Sequence, residues 1–297
     1  MNWKGVLPAI TTNLTADLSV DHAALTAHCR WMIDSGCTGI VCCGSLGEAA
    51  TLTFEEKIAV VRTAVAAVGA RAPVVLGIAS LSTTEAVAMA RAAEQAGAQG
   101  LMVLPPYVYT SDWREMKAHI SAVIGATKLS CMLYNNPVAY KTDFLPEQIA
   151  ALAAEHENLH AVKESSGDVR RITAIREVCD RRLDILVGMD DAVVEGVYAG
   201  AVGWIAGLVN AFPDESVALF DYARRGDKDR AHALYTWFLP LLRLDTVPKF
   251  VQLIKWVQAE VGHGTPHVRP PRLELAGADL ELVRTTLAQA LKVRPKA

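Results

Sequence analysis

Three segments of the sequence share one pattern, and this pattern constrains the fold more than any other feature. Each begins with a glycine that ends a helical pattern, at Gly36, Gly97 or Gly200, and continues through a second glycine into a short apolar run. A glycine suits the left-handed position that follows the last turn of a helix. Continuous apolar runs are typical of strands buried on both faces, as in parallel sheets. The pattern therefore predicts helix-to-strand units of a parallel α/β fold.

Strands and helices alternate along most of the chain. Amphipathic helical patterns separate the apolar runs, and one of them opens with Thr53 and Glu56 at the spacing of a capping box. Eight strands alternating with eight helices predict a (β/α)8 TIM barrel over residues 1–225. A doubly wound open sheet is the alternative, because periodicity does not prove that a sheet closes. Besides the three glycine-led runs, the predicted strands are residues 5–10, 74–78, 130–134, 159–163 and 184–187.

The C-terminal part of the sequence has helical patterns without strands between them. These patterns lie near residues 228–242, 247–261 and 279–291. They predict a C-terminal helical extension over residues 226–297 that packs on the barrel. Because catalytic groups of such barrels lie at the C-terminal ends of the strands, we expect residues 1–225 to carry the active site.

Charge and hydropathy argue against nucleic acid and membranes as partners. The chain has 29 Lys and Arg residues against 32 Asp and Glu residues, a net charge of −3, so it lacks the basic surface that nucleic-acid binding requires. The first residues have no apolar signal segment. The apolar stretch 192–212 contains Glu195 and several glycines, which favours a helix and a strand over a membrane span. We therefore expect a cytoplasmic protein that binds neither nucleic acid nor membrane.

Common metal and nucleotide motifs are missing from the sequence. The eight histidines show no metal-ligand spacing, the six cysteines form no C-x-x-C pair, and neither a P-loop nor a dinucleotide fingerprint occurs. A metal-dependent aldolase is an alternative on the same barrel, but it needs several ligands at the strand ends, where only Asp190 and Asp191 come near. The sequence thus predicts no metal site and argues against nucleotide chemistry.

Lys163 is the first candidate for chemistry. It closes the apolar run 159–162 at the end of the sixth predicted strand. Burial disfavours the ammonium form of lysine, and a neutral amine attacks a ketone to form an imine, which accepts electrons. The simpler interpretation is a lysine whose stem lies on apolar surface while its charge reaches water.

Tyr134 supports the hypothesis that Lys163 is catalytic. It ends the neighbouring predicted strand, and adjacent strands lie about 4.8 Å apart. A phenol beside an imine-forming lysine relays protons to the reacting oxygen. The simpler interpretation of Tyr134 is a core residue whose hydroxyl bonds to the backbone.

A glycine-rich turn follows the second predicted strand. Gly44, Ser45 and Gly47 expose backbone N–H groups and a hydroxyl, which suit a carboxylate. Such turns are common, so the signal by itself is weak. The sequence leaves open whether Glu48, Asp190 or Asn210 contacts substrate.

In combination, these residues resemble the dihydrodipicolinate synthase / N-acetylneuraminate lyase family, a family of Schiff-base-forming aldolases on TIM barrels. The similarity covers nearly the whole chain. It is specific in the order and spacing of three motifs, Gly44-Ser45-x-Gly47-Glu48, Tyr134-Asn135-x-Pro137 and Val162-Lys163-Glu164-Ser165-x-Gly167-Asp168.

The resemblance implies a class I lyase acting on a pyruvate-type 2-oxo acid without a cofactor. It implies that Lys163 forms the imine and that Tyr134 relays protons. Ser45 and Leu46 would hold the substrate carboxylate. It also implies a homotetramer or homodimer. The expected pocket is completed by Gly44, Gly47, Tyr107, Val108, Ala139, Gly188, Trp204 and Ile205.

Three positions depart from the synthases of this family. Leu46 replaces a threonine, Val108 replaces the tyrosine that reaches the partner subunit, and Ala139 replaces the arginine that binds the aldehyde's carboxylate. Loss of such polar partners reduces affinity for a charged substrate steeply. The departures therefore predict a pocket whose far end is less charged than in the synthases. Trp204 on the eighth predicted strand would give this pocket an aromatic wall, and a core tryptophan is the equally plausible alternative.

Two subgroups are more similar to this sequence. Residues 50–53 and 136–144 are similar to hydratase-aldolases that cleave aryl-substituted 2-oxo acids, and residues 132–137 resemble a 1-pyrroline-4-hydroxy-2-carboxylate deaminase. The alternatives are a 4-hydroxy-tetrahydrodipicolinate (dihydrodipicolinate) synthase and a 2-oxo-3-deoxy sugar acid aldolase or dehydratase. A barrel that binds a 2-oxo acid without catalysis is the alternative from a different class.

Overall fold

A computed structural model gives the fold of the chain and describes residues 1–107 and 109–295. Eight parallel strands in this part of the chain form one sheet. Their bounds are β1 (Gly5–Pro8), β2 (Ile40–Cys42), β3 (Val74–Ile78), β4 (Gly100–Val103), β5 (Ser130–Asn135), β6 (Leu159–Glu164), β7 (Asp184–Val187) and β8 (Gly203–Ala206).

Helices follow the strands and surround the sheet. They are α1 (His22–Asp34), α2 (Phe54–Val68), α3 (Thr83–Gln95), α4 (Trp113–Gly125), α5 (Pro137–Tyr140), α6 (Pro146–Glu155), α7 (Arg170–Val178), α8 (Val193–Tyr198), α9 (Pro213–Arg225), α10 (Lys228–Leu242), α11 (Phe250–Glu260) and α12 (Gly277–Lys292). Short 3-10 helices lie at Ala49–Thr51, Gly69–Arg71, Asp190–Ala192, Leu208–Asn210 and Arg243–Asp245.

The sheet closes into a barrel. The strands pair in the order β1, β8, β7, β6, β5, β4, β3, β2. A parallel bridge between Ala9 and Val41 joins the two ends of this order. The prediction of a (β/α)8 TIM barrel with a C-terminal helical segment is therefore confirmed, and the open-sheet alternative is wrong.

The repeated glycines occupy the positions that the sequence predicts. Gly36, Gly97 and Gly200 have φ angles of 96°, 90° and 109°, and each lies two residues beyond the last residue of a helix. Side chains disfavour this left-handed conformation, so glycine ends the helix there without strain. The capping box at Thr53 and Glu56 is also present at the start of α2.

The segment after β7 does not enter its α-helix directly. Residues Asp190–Ala192 form a 3-10 turn, and the α-helix itself starts at Val193. The reason is that the Asp190 carboxylate accepts hydrogen bonds from the backbone after β8 instead of capping its own helix.

The helices after residue 225 pack on one another and on the barrel. Helix α10 contacts α9 and α12, and the indole of Trp237 donates a hydrogen bond of 2.9 Å to the carbonyl of Ala290. Helix α11 lies against the segment that follows β1, at the C-terminal ends of the strands, where the Thr11 hydroxyl donates to Gln258 at 2.7 Å. Of the helices described, none has the length and apolar character that crossing a bilayer requires.

Candidate active site

A cavity of about 560 Å³ opens at the C-terminal ends of the barrel strands. Active sites of TIM barrels lie at this end of the sheet. Most of the residues that the sequence assigns to the site line this cavity, namely Gly44, Ser45, Leu46, Tyr107, Tyr134, Ala139, Lys163, Gly188 and Ile205.

Lys163 reaches the cavity from β6 and lies against Tyr134 of β5. The two residues are register partners in the sheet, and the Lys163 Nζ lies 4.0 Å from the centre of the Tyr134 ring. Lys163 is only 7% exposed. Burial lowers the pKa of Lys163, although the carboxylate of Asp245 opposes the shift. A lowered pKa increases the fraction of neutral amine, which is the nucleophile that imine formation requires.

Tyr134 keeps its proton in the same surroundings. Burial raises its pKa to about 12, and the amide of Asn136 donates a hydrogen bond of 3.0 Å to its hydroxyl. Asn136 also accepts a hydrogen bond from the Ala139 backbone N–H at the start of α5. The cap of a short helix therefore orients the phenol, which remains available as a proton donor.

Tyr140 is a site residue that the sequence analysis missed. It ends α5 and lines the cavity, where its hydroxyl forms a short hydrogen bond with the Ser45 hydroxyl. Its ring meets the Tyr134 ring edge-on at a centroid distance of 5.8 Å. Burial raises the pKa of Tyr140, so it too carries a proton. The signal in the sequence was Asn136-Pro137, which is typical of a helix start. The helix that begins there, α5, ends at Tyr140 beside the cavity.

The turn after β2 holds its backbone in an unusual conformation. Cys43 and Glu48 at its two ends have φ angles of 54° and 56°, in the left-handed region that non-glycine residues seldom adopt. Among the described residues, the amide N–H groups of Ser45, Leu46 and Gly47 have no acceptor. Unpaired amides next to a hydroxyl provide donors for a carboxylate oxygen.

Glu48 has a structural role in this turn. It is 1% exposed and accepts hydrogen bonds from Lys255 Nζ at 2.7 Å and from the Arg269 backbone N–H at 3.0 Å. Lys255 is likewise 1% exposed and also donates to the Thr12 carbonyl. The ion pair therefore fixes the turn after β2 to the helices after residue 225.

Gly188 provides the space that the stem of Lys163 occupies. A Cβ atom at Gly188 would lie 2.8 Å from Lys163 Cε and would collide with the Ser165 hydroxyl. Such contacts are closer than side chains tolerate, so only glycine at this point lets Lys163 lie against β7.

Two predicted pocket residues do not line the cavity. The prediction that Trp204 forms its wall is wrong, because the indole is fully buried on β8 and donates to Asp190. Gly47 packs instead against the Ile10 carbonyl, 3.0 Å from where its Cβ would be. Val108, also predicted to line the pocket, lies outside the described residues.

Asp190 and Asn210 are buried behind the cavity. Asp190 accepts hydrogen bonds from Trp204 and from the backbone N–H groups of Gly207 and Leu208. Burial raises its pKa to about 6. Asn210 bonds to the Thr11 backbone and to His28. Both residues organise the backbone after β8.

The helical extension supplies part of the cavity, so the expectation that residues 1–225 alone carry the site is incomplete. Asp245 and Arg272 both line the cavity. No strand precedes these residues, so nothing in the local sequence indicated that they reach the cavity. The other cavity residues of the extension are Thr246, Val247, Pro248 and Phe250.

Comparisons with known proteins agree with this geometry. The model of the dihydrodipicolinate synthetase family matches residues 2–290. The chain is 34% identical over 291 residues to the 4-hydroxy-tetrahydrodipicolinate synthase of Methanoculleus marisnigri, covering 96% of this chain and 98% of the relative. It is 30% identical over 290 residues to the enzyme of the same name from Pelobacter propionicus, covering 98% of each.

Solved structures show the same similarity. The 4-hydroxy-tetrahydrodipicolinate synthase of Methylacidiphilum fumariolicum superposes with a TM-score of 0.94 at 28% identity, covering 98% of this chain and 97% of that one. The prophage protein YagE of E. coli, solved with pyruvate, gives a TM-score of 0.91 at 27% identity, covering 97% of this chain and 98% of that one. The prediction of a family-level Schiff-base lyase is confirmed, and the chain is a member of the dihydrodipicolinate synthetase family.

Proposed function

We propose that the chain forms a Schiff base between Lys163 and the C2 carbonyl of a pyruvate-type 2-oxo acid. The observation that carries the proposal is the buried Lys163 amine, 4.0 Å from the ring centre of Tyr134 in the cavity. A buried lysine beside a protonated phenol has both the nucleophile and the proton donor that imine formation needs.

The turn after β2 would bind the carboxylate of the substrate. Ser45 and Leu46 line the cavity, and their backbone N–H groups have no acceptor among the described residues. Held there, the carboxylate places C2 within reach of the Lys163 amine. This orientation also aligns the bond to be broken with the imine π system.

Tyr134 would serve both proton transfers of imine chemistry. Attack of Lys163 on C2 gives a carbinolamine, whose hydroxyl takes the Tyr134 proton and leaves as water, so that an iminium forms. The resulting phenolate then removes a proton from C3, which gives the enamine and restores the phenol. The raised pKa of Tyr134 makes its phenolate a strong base for this second step. Tyr140, bonded to Ser45, extends the hydrogen-bonded chain.

The substrate beyond C3 is proposed from the cavity wall. Leu46 and Ala139 line it with apolar groups where synthases have polar ones, which favours a hydratase-aldolase or a 1-pyrroline-4-hydroxy-2-carboxylate deaminase. The names of the relatives favour a second candidate, 4-hydroxy-tetrahydrodipicolinate synthase. Strong turnover of aspartate semialdehyde with pyruvate would support the synthase over the other two.

The remaining parts of the proposal rest on the family. We infer that the reaction needs no cofactor, because the lysine imine itself accepts the electrons. A homotetramer or homodimer in the cytoplasm is the arrangement that we expect. A 2-oxo-acid-binding barrel without catalysis would share the cavity but would release no product.

Reductive trapping tests the central step. Borohydride treatment with pyruvate should add the mass of one reduced pyruvate imine, and peptide mapping should place it on Lys163. Lys163→Met should abolish the adduct. Lys57→Arg is the matched control, since Lys57 is similarly buried at 8% exposed but lies on α2 outside the cavity. Wild-type protein without an adduct would contradict the proposal.

A further inference from the structure

Asp245 is an acidic side chain that the C-terminal extension brings into the cavity. It ends the 3-10 helix Arg243–Asp245, which packs between α10, α11 and the turn Asp190–Ala192. The carboxyl group lines the cavity together with Lys163. Its position depends on Gly207, because a methyl group there would collide with the Asp245 carboxyl oxygen.

Asp245 differs from Asp190, the other carboxyl group near Lys163. Donors on Trp204, Gly207 and Leu208 occupy the oxygens of Asp190, which is 0% exposed. Within the described residues, no N–H or O–H group donates to the side chain of Asp245. Asp245 is therefore the carboxyl group that remains available to a bound substrate.

Several charged groups act on Asp245. Lys163 of β6 attracts its anion, whereas Asp190 and Asp191 after β7 repel it. Arg243 lies on its own 3-10 helix and faces Asp191 at 3.9 Å, and Arg272 lines the same cavity. Burial, reinforced by Asp190, raises the pKa of Asp245 well above its usual range. The acid form is thereby favoured at pH values where an exposed aspartate is ionised.

We propose that Asp245 is a catalytic acid that protonates the group leaving from carbon 4 of the bound 2-oxo acid. This inference rests on the proposed Schiff base at Lys163. It assigns the substrate class as 2-oxo acids with a hydroxyl group on carbon 4, and the reaction as an elimination rather than carbon–carbon cleavage.

The step balances without an oxidant or a reductant. In the enamine, the nitrogen electron pair forms the C2–N double bond, and the C2–C3 pair shifts to form a C3–C4 double bond. The C4–O bond breaks, and its electron pair leaves with the oxygen. That oxygen takes the Asp245 proton and departs as water. The Asp245 carboxylate regains a proton from solvent at the cavity mouth, which restores the acid for the next turnover. Tyr134 takes no part in this step.

A comparison of three rates with Asp245→Asn tests the assignment. Adduct formation with pyruvate and borohydride, and exchange of the pyruvate methyl protons in D₂O, need only Lys163 and Tyr134. Both should stay within about 3-fold of wild type or rise, because general acid catalysis contributes only to the step that uses it. Loss of the Asp245 charge also favours the neutral amine of Lys163. Elimination of water from 2-oxo-3-deoxypentonate or 1-pyrroline-4-hydroxy-2-carboxylate should fall by at least about 100-fold.

Asp191→Asn is the matched control. It removes a neighbouring carboxylate that does not line the cavity, so it tests whether a change of charge alone is sufficient. We expect its elimination rate to stay close to that of wild type, and the wild-type rate to fall at high pH as Asp245 loses its proton.

Other outcomes would overturn the inference. Equal losses in all three rates of Asp245→Asn would assign a positioning role instead. Release of pyruvate from 2-oxo-3-deoxypentonate by wild type would show that the reaction is carbon–carbon cleavage and not elimination. An adduct without turnover of either 4-hydroxy compound would show that the substrate class is wrong. Absence of any adduct in wild type would instead contradict the proposed function itself.

Discussion

Burial moves the pKa values of Lys163 and Tyr134 in opposite directions, and both shifts favour the same chemistry. The pKa of the amine is lowered, so more of it is neutral, while the pKa of the phenol is raised to about 12, so it keeps its proton. The cause is common, since a site with little solvent disfavours the ammonium ion and the phenolate alike. One buried environment therefore prepares a nucleophile and an acid side by side.

The lowered pKa of Lys163 predicts how adduct formation depends on pH. The rate of reductive trapping with pyruvate should rise with pH while Lys163 is being deprotonated. It should level off below pH 10.5, the ordinary value for lysine. Trapping rates measured across this range would reveal the inflection. A rate that still increases above pH 10.5 would contradict a lowered pKa.

Tyr134→Phe should slow the same trapping reaction by about 100-fold, because general acid catalysis of carbinolamine dehydration is lost. Tyr109→Phe is the control, since Tyr109 is 57% exposed and does not line the cavity. Equal trapping rates for Tyr134→Phe and wild type would remove Tyr134 from the mechanism.

Among the secondary-structure elements, the strands on either side of β6 position Lys163. Register pairs Lys163 with Tyr134 on one side and with Leu186 on the other, and Gly188 follows directly after β7. Because parallel strands end at one rim, residues distant in sequence meet there. The absence of a side chain at Gly188 is therefore necessary for the position of the Lys163 amine.

Gly188→Ala should displace Lys163 without unfolding the barrel. The added methyl group would stand 2.9 Å from Lys163 Cγ, and the flexible stem can move away. We expect trapping with pyruvate to fall by about 10-fold or more, since misplaced reacting groups lose rate steeply. Gly125→Ala is the control, because no atom lies within 4 Å of its Cβ position. Unchanged trapping in Gly188→Ala would show that the stem tolerates a side chain.

The barrel and its extension act as one unit at the scale of the whole molecule. The buried pair Glu48–Lys255 joins the turn after β2 to α11, and Arg269 beyond α11 bonds to Glu56 at the start of α2. Since Asp245 and Arg272 also reach the cavity, the extension completes the site. The extension therefore contributes residues to the cavity as well as contacts to the barrel.

Lys255→Met should lower the free energy of unfolding by about 3–5 kcal/mol, because it leaves the Glu48 carboxylate buried without its cation. The double variant Glu48→Gln/Lys255→Met should recover most of this loss, since neither partner then carries an unpaired charge. Denaturant unfolding of both variants measures the difference. A single variant within about 1 kcal/mol of wild type would contradict a structural role for the pair.

The barrel and the pair Lys163 and Tyr134 could be predicted without a structure. The order of strands and helices, the left-handed glycines such as Gly36, and the placement of Tyr134 beside Lys163 all follow from short-range patterns and from the geometry of parallel strands. Three features emerged only from the folded chain: Tyr140 bonds to Ser45, Asp245 lines the cavity, and Trp204 does not. These contacts join residues that are far apart in the sequence, whereas periodicity reports only which face of its own element a residue lies on.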